Sequence, residues 1–184
     1  MSKLTAKPPL SHVSQSWGST QLVEHGNGEL ISLACPLGSE TTFATRFKKR
    51  FKATPPAPNE LINCVGGRAF WTGQGQYMIS LDADDILADT RMSDHFGDHG
   101  YATLQTDGWT ALTLTSSLAY NILERFTPLD LRSAPAMFAT RSTAHHMAVI
   151  VLKFSDTEFR LLSPRSSAQS FLDALTHTIE NTLS

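Results

Sequence analysis

The sequence predicts one domain of the α+β class, and three observations lead to that prediction. Its 184 residues are 41% apolar and 17% charged, which is typical of a globular chain rather than a disordered or fibrous one. Alternating runs typical of strands are mixed with amphipathic stretches typical of helices. The order strand, helix, strand, strand, helix occurs twice, at a period of about 80 residues. We therefore expect an internally duplicated α+β domain over residues 29–184, with halves of about 29–100 and 101–184.

The N-terminal residues show no sustained hydrophobic periodicity. Residues 1–28 are rich in Ser, Pro, Gly and Lys. That composition is typical of an extended arm that orders on a partner. A frayed tail is the alternative interpretation.

The first half contains one strongly periodic helix. Leu30 to Ala34 reads as a strand, and residues 39–51 follow it as a helix. Phe43, Phe47 and Phe51 lie at i, i+4 and i+8, so they form one apolar stripe. The proline-rich residues that follow cannot continue the helix.

A hairpin and a second helix complete this half. Residues 68–72 and 76–81 read as two strands joined by a turn at Gly73-Gln74-Gly75. This glycine pair lacks the third glycine of a dinucleotide fingerprint and joins two strands rather than a strand to a helix, so it predicts no cofactor site. A helix is expected from about Asp84.

The second half repeats the same order. Its elements are residues 109–114 as a strand, 117–126 as a helix ended by Pro128, 147–154 and 158–163 as strands, and a last helix. Ser166 or Ser167 is expected to cap that helix. Its apolar stripe is Ala168, Phe171, Leu172, Leu175 and Ile179, and Gln169, Asp173 and Glu180 are expected to face water.

Two runs in this half, Pro128 to Leu131 and Glu158 to Phe171, resemble the gamma subunit of heterotetrameric sarcosine oxidases and of related N-methyl amino acid dehydrogenases. The resemblance extends over residues 108–175 and continues, more weakly, over residues 30–82. Many gamma subunits carry a Cys before the first run, where this chain has Thr127. That departure argues against a role for that Cys.

The resemblance implies a fold like the folate-binding domain of glycine-cleavage aminomethyltransferases, which is duplicated. It also implies a non-catalytic subunit that works with alpha, beta and delta subunits. Such a complex oxidatively demethylates sarcosine, or a similar N-methyl amino acid, to glycine, with transfer of the one-carbon unit to tetrahydrofolate and release of hydrogen peroxide. FAD, FMN, NAD, tetrahydrofolate and zinc would lie on the other subunits, and none on this chain.

Two other functions stay open. One is a free-standing folate-binding protein of the aminomethyltransferase type, for which Asp107, before Gly108 and Trp109, is the only local arrangement on offer. The other is an adaptor for a different dehydrogenase. A tetrahydrofolate titration separates the enzyme from the two non-enzymes.

Charge and cysteine content restrict the partners and the compartment. The net charge is -2 and the pI is about 6.4, which argues against binding to nucleic acid or an anionic membrane. Cys35 and Cys64 are the only cysteines, and they form no Cys-x-x-Cys pair. With no secretory signal pattern and no run of about 18 apolar residues, the chain is expected in the cytoplasm.

Candidate metal ligands all have a simpler interpretation. His95 and His99 lie at i, i+4, but no third and fourth ligands are indicated nearby. Asp82, Asp84 and Asp85 end a strand and open a helix, where carboxylates act as caps. We predict no metal site.

Other candidate groups give no active site. The adjacent His145-His146 pair reads as a loop entering a strand, where neighbouring side chains point to opposite faces. Ser163, Ser166 and Ser167 lack a nucleophile elbow. We predict no catalytic or cofactor-binding residue.

Basic residues are the remaining functional candidates. Arg46, Lys49 and Arg50 belong to a basic helix face opposite the phenylalanine stripe, and we interpret them as candidate partner contacts. Arg165 lies between a strand and a helix, where it either holds an acidic group of another subunit or braces its own loop.

Overall fold

The computed structural model describes residues 7–26, 28–82 and 87–184, and in these the chain forms two antiparallel sheets and four α-helices. The helices are α1 (Glu40–Phe51), α2 (Ala88–Phe96), α3 (Ala119–Phe126) and α4 (Ala168–Leu183). The strands are β1 (Ser14–Trp17), β2 (Thr20–Glu24), β3 (Leu30–Ala34), β4 (Leu61–Cys64), β5 (Gly67–Gly73), β6 (Gln76–Leu81), β7 (Tyr101–Leu104), β8 (Trp109–Thr115), β9 (Phe138–Ala144), β10 (Met147–Lys153) and β11 (Glu158–Pro164). The predicted α+β class is confirmed.

The chain divides into two compact units, named here for their place in the sequence. The terminal unit comprises described residues within 1–26, 107–136 and 141–184. The central unit comprises those within 27–106 and 137–140. The expected halves of about residues 29–100 and 101–184 stay a prediction.

The sheets show the duplication that the sequence predicts. One sheet has the order β1-β2-β8-β11-β10-β9 and the other has the order β4-β5-β6-β3-β7. In both, the strand before the first helix pairs antiparallel with the strand before the second helix: β8 with β11 and β3 with β6. Both sheets have more strands than the three predicted for each half. β4 and β9 add to the edge of the following hairpin, β7 pairs with β3, and β1 and β2 extend the six-stranded sheet beyond β8.

Helix α1 follows the predicted pattern. Phe43, Phe47 and Phe51 are at most 1% exposed, as the i, i+4, i+8 spacing requires. The helix ends at Lys52, whose backbone is left-handed (φ 57°) and whose N–H donates to Lys48 O.

Helix α4 also buries the predicted stripe. Its buried residues include Ala168, Phe171, Leu172, Leu175 and Ile179, whereas Gln169, Asp173 and Glu180 are exposed. The expected cap is different, because Ser167 occupies the N-cap position but its hydroxyl donates backwards to Pro164 O at 3.0 Å.

Each unit has its own buried apolar residues. The core of the central unit consists of Ile31, Leu33, Phe43, Phe47, Phe51, Ala69, Ile79, Leu81, Ala88, Met92 and Phe96. Fully buried residues of the terminal unit include Leu22, Leu112, Leu114, Ile122, Leu123, Phe159, Leu161, Phe171 and Ile179. These residues pack the helices of each unit against its sheet.

The extended arm predicted for residues 1–28 is wrong for residues 14–24. These form a hairpin whose second strand, β2, pairs antiparallel with β8. Leu22 is completely buried in the process. The preceding turn is held by Glu24, whose carboxylate accepts N–H bonds from Leu10 and His12 at 2.9 and 2.8 Å. The segment is therefore part of the folded unit, because β2 is paired on both sides, with β1 and with β8.

The turns explain two further sequence features. Gln74 and Gly75 connect β5 to β6, as predicted, with Gly75 at a φ of 64°. His145 and His146 connect β9 to β10, and both have positive φ, 44° and 67°. The two histidines are therefore the hairpin turn itself rather than a loop before a strand.

The start of the second helix differs from the prediction. Helix α2 begins at Ala88, not at Asp84. The two predicted capping residues Asp84 and Asp85 lie outside the described residues, and Asp82 is exposed.

Candidate functional site

The central unit contains a pocket of about 620 Å³ where β3 runs into α1. Its lining residues come from the turn before α1, the first half of α1, the loop after α1, and the β5–β6 hairpin. They are Cys35, Leu37, Glu40, Phe43, Ala44, Pro55, Gln74, Gly75 and Tyr77.

Backbone pairing fixes the walls of this pocket. The N–H of Cys35 donates to Gly75 O at 2.7 Å, which holds the end of β3 beside the hairpin turn. Tyr77 is paired with Leu33 across β3 and β6. The ring of Phe43 stacks on Tyr77 at 5.4 Å between centroids. The floor is therefore aromatic.

The thiol and the phenol of the pocket are neutral at physiological pH, whereas Glu40 is a carboxylate whose pKa is lowered by hydrogen bonds from its own backbone N–H and that of Gly38. Burial raises the pKa of the Cys35 thiol above its ordinary 9.0, and the nearby Glu40 charge adds to the effect. Burial likewise raises the pKa of Tyr77 above 10.0. A thiol attacks as its thiolate, so raising its pKa works against nucleophilic chemistry. Neither the thiol nor the phenol of the pocket is therefore activated by deprotonation.

An exposed leucine stands at the rim. Leu37 is 97% exposed, although a large apolar side chain gains from being covered. Its turn is ordered by two bonds, from Ser39 N–H to Pro36 O at 3.0 Å and from Gly38 N–H to the Glu40 carboxylate at 3.0 Å.

The terminal unit has the same backbone arrangement at the end of β8 as the pocket has at the end of β3. There the N–H of Ser116 donates to Thr157 O at 2.9 Å, as the pocket cysteine does to the hairpin of the central unit. Phe159, paired with Leu114, takes the position of the pocket tyrosine. The same backbone frame therefore exists twice.

A buried lysine lies near this arrangement in the terminal unit and binds the loop that follows α3. Lys153 is 2% exposed, and its ammonium donates to Leu131 O at 3.0 Å, Ala134 O at 2.6 Å and the Tyr120 hydroxyl at 2.7 Å. It also lies 3.3 Å from a carboxylate oxygen of Asp156. These hydrogen bonds attach segment 131–134 to the end of β10.

The lysine is charged in this environment. Burial lowers its pKa, but the hydrogen bonds to Tyr120 and Asp156 raise it by more, so the pKa of Lys153 lies above its ordinary 10.5. The Tyr120 hydroxyl donates in turn to Asp156 at 2.5 Å. With every donor and acceptor engaged, the group has a structural role.

Two of the four predicted partner contacts are engaged within the chain. Arg46 donates to His95 O at 3.0 Å and to Phe96 O at 2.6 Å, so it caps the end of α2. Arg165 donates to Asp107 at 3.1 Å and to Lys7 O at 3.3 Å, which is the alternative of bracing its own loop.

The other two basic residues remain on the surface. Lys49 and Arg50 are exposed, and Arg50 lies 5.3 Å from the ring centre of Phe51. A role in partner contact stays a prediction for both.

The two candidate metal-binding histidines are held separately by α1 and the turn before it. His95 Nε2 lies 2.9 Å from Arg46 O, and His99 Nδ1 lies 3.1 Å from the Ser39 hydroxyl. Within residues 7–26, 28–82 and 87–184, His, Cys, Asp and Glu form no group of three that could hold a metal.

The predicted serines and the folate arrangement do not form a site. Ser163 is buried and its hydroxyl lies 3.3 Å from that of Ser167, while Ser166 is exposed. Asp107 has a side chain that is 95% exposed, and it pairs with Arg165.

Sequence reasoning missed both Lys153 and the pocket. The only signal for the lysine is its place at the end of an otherwise apolar strand, MAVIVLK, which is a weak indication of a buried charge. No pattern in the sequence marks Cys35, Leu37 and Tyr77 as neighbours.

The structure is similar to a chain of the heterotetrameric sarcosine oxidase from Corynebacterium sp. U-96, solved in complex with pyrrole 2-carboxylate. The TM-score is 0.79 at 18% identity, over 90% of this chain and 86% of that chain. It is also similar to the glycine cleavage system aminomethyltransferase T from Bartonella henselae, with a TM-score of 0.66 at 12% identity over 84% of this chain. This chain spans only 44% of that protein.

At these identities the similarity shows the fold, and it confirms the fold that the sequence predicted. No protein-family profile matches the chain, and no curated protein matches it by sequence. Every helix among the described residues is too short or too polar to cross a membrane.

Proposed function

We propose that this chain is the gamma subunit of a heterotetrameric sarcosine oxidase-like complex. Its partners would be alpha, beta and delta subunits, and the complex would oxidatively demethylate sarcosine or a similar N-methyl amino acid. The chain would contribute to assembly and would hold none of the cofactors. Its place in the cytoplasm and the absence of metal and cofactor sites stay predictions.

The observation that carries this proposal is a match along nearly the whole length of both chains. Because the alignment covers 90% of this chain and 86% of the sarcosine oxidase chain, the two are of similar size. A small chain of a heterotetramer is therefore the counterpart, rather than one domain of a large catalytic subunit. The runs Pro128 to Leu131 and Glu158 to Phe171 resemble the gamma subunit independently of the fold.

The pocket chemistry agrees with a non-catalytic role. The Cys35 thiol and the Tyr77 hydroxyl both have raised pKa values, so neither is activated as a nucleophile or base. The buried Lys153 is saturated by its own chain. Within the described residues, these are the groups with the most distinctive surroundings.

Native mass spectrometry with an absorption spectrum tests the proposal. The chain is tagged and purified from its own source cells. We expect a yellow assembly in which this chain and three others occur at about 1:1:1:1. A colourless monomer, purified under conditions that preserve complexes, would contradict the proposal.

A free-standing folate-binding protein is the second candidate, favoured by the similarity to an aminomethyltransferase. The only residue arrangement proposed for it begins at Asp107, whose carboxylate is solvent-exposed rather than interior. Titration of the isolated chain with tetrahydrofolate decides the matter. Saturable binding at micromolar concentration supports this candidate. If the chain does not bind tetrahydrofolate, the two remaining functions are the oxidase subunit and an adaptor for another dehydrogenase.

A further inference from the structure

The comparison between the two units indicates what the central pocket is for. In the terminal unit, Lys153 holds segment 131–134 beside the corresponding place by donating to Leu131 O and Ala134 O, and Leu131 is only 2% exposed. In the central unit, Trp71 takes the position of Lys153. Lys153 pairs with Phe159 in the terminal unit, and Trp71 pairs with Tyr77, the counterpart of Phe159. A tryptophan has no ammonium to bind two carbonyl groups, so this mode of closure is missing there.

The rim of the pocket is already shaped for an apolar contact. Leu37 is held on an ordered turn and is 97% exposed. Behind it lies the stacked pair of Phe43 and Tyr77. A bulky apolar side chain placed between them would remove apolar surface of both partners from water.

The charge beside the pocket specifies the partner further. Glu40, Ala44 and Lys48 follow one another at i, i+4 and i+8 along α1, and the first two line the pocket. The Glu40 carboxylate is engaged by the Gly38 N–H at 3.0 Å, and the exposed Lys48, two turns further along the row, supplies the positive charge beside the pocket.

We propose that the pocket of the central unit receives an extended segment of a partner subunit, which rests on the proposed function. The segment places a bulky apolar side chain against Tyr77 and Leu37 and a carboxylate near Lys48. It takes the role that segment 131–134 has in the terminal unit. The pocket is thus the anchoring point between this chain and the rest of the complex.

Two matched pairs of variants test the anchor in the tagged chain purified from cells that lack the native copy. Leu37→Asp lowers the amount of co-purified partner chains at least tenfold, because a carboxylate replaces the apolar rim. Leu118→Asp, at the corresponding turn of the terminal unit, leaves it unchanged; Leu118 is 41% exposed. Lys48→Glu weakens co-purification several-fold, and Arg125→Glu, at an exposed position of α3 in the terminal unit, does not.

The native cysteines give an independent readout. Alkylation of Cys35 by iodoacetamide is slowed at least tenfold in the complex relative to the isolated chain, because the segment covers the pocket. Cys64, the other half-buried thiol, reacts at the same rate in both samples. Its pKa is raised by burial to about 11, so each thiol is compared only with itself.

The outcomes separate the two proposals. If the wild-type chain recovers its partners and Leu37→Asp and Lys48→Glu recover them equally well, the pocket is not the anchor and the proposed function stands. If the wild-type chain recovers no partner, both proposals fail. If the isolated chain carries a small molecule that Leu37→Asp releases, the pocket is a ligand site and the inference is overturned.

Discussion

The two units share a backbone plan but differ at one end. In the terminal unit, Lys153 fixes segment 131–134 over the end of the sheet through two carbonyl bonds. In the central unit, Trp71 takes the position of the lysine, and a pocket of about 620 Å³ remains. A duplicated fold can therefore keep one copy closed for stability and leave the other open for binding.

The largest losses of stability are expected for substitutions in the cores of the two units, and we expect the losses to be similar in both. Phe171 in the terminal unit and Phe47 in the central unit are both fully buried. Substituting either by alanine costs about 3 to 5 kcal/mol of unfolding free energy, because it removes buried surface and leaves a cavity. Urea denaturation measures both. A negligible cost in one unit only would show that the units differ in their cores and not just at their ends.

The next effect contrasts two leucines. Leu131→Ala costs about 2 to 5 kcal/mol because the side chain is 2% exposed. Leu37→Ala changes the stability of the isolated chain by less than about 0.5 kcal/mol because the side chain is 97% exposed. Equal destabilisation by both substitutions, measured by urea denaturation, would mean that the pocket rim is covered within the chain itself.

The buried lysine gives a smaller and pH-dependent effect. Lys153→Met destabilises the chain by about 1.5 to 3 kcal/mol, since it removes charged hydrogen bonds to Leu131 O and Ala134 O. The folded-state pKa is raised above 10.5, so this stabilisation is complete below pH 10.5 and is lost as the pH rises through the folded-state pKa. Denaturation midpoints of both proteins at neutral and strongly alkaline pH check this. A difference that stays constant across that range would contradict it.

The N-terminal hairpin gives the mildest test. Amides of β2 exchange slowly with deuterium in the isolated chain, because the strand is paired on both sides, with β1 and with β8. Hydrogen exchange with peptide-level mass spectrometry measures this. Exchange as fast as in an unfolded peptide would restore the interpretation of this segment as an arm.

The sequence predicts the helices better than the sheets and the site. The spacing of Phe43, Phe47 and Phe51 is a local signal that determines one face of α1. Strands β1 and β7 have four residues each and show little alternation between apolar and polar, so their pairing depends on distant partners.

The pocket and its closed counterpart are harder still to predict. Lys153 binds carbonyl groups 19 and 22 residues earlier in the chain, and such long-range contacts leave no local pattern. Arg165 shows the same difficulty, because the choice between partner contact and loop bracing depends on where Asp107 lies in the fold.

We expect the pocket at the end of the central unit to be covered in the complex, as the end of the terminal unit is covered by its own chain. Hydrogen exchange of the isolated chain and of the assembled complex tests this most directly. We predict that peptides spanning residues 130–135 are equally protected in both samples, whereas those spanning residues 35–40 and 74–77 gain protection only in the complex. Unchanged exchange at the pocket in a fully assembled complex would contradict the account.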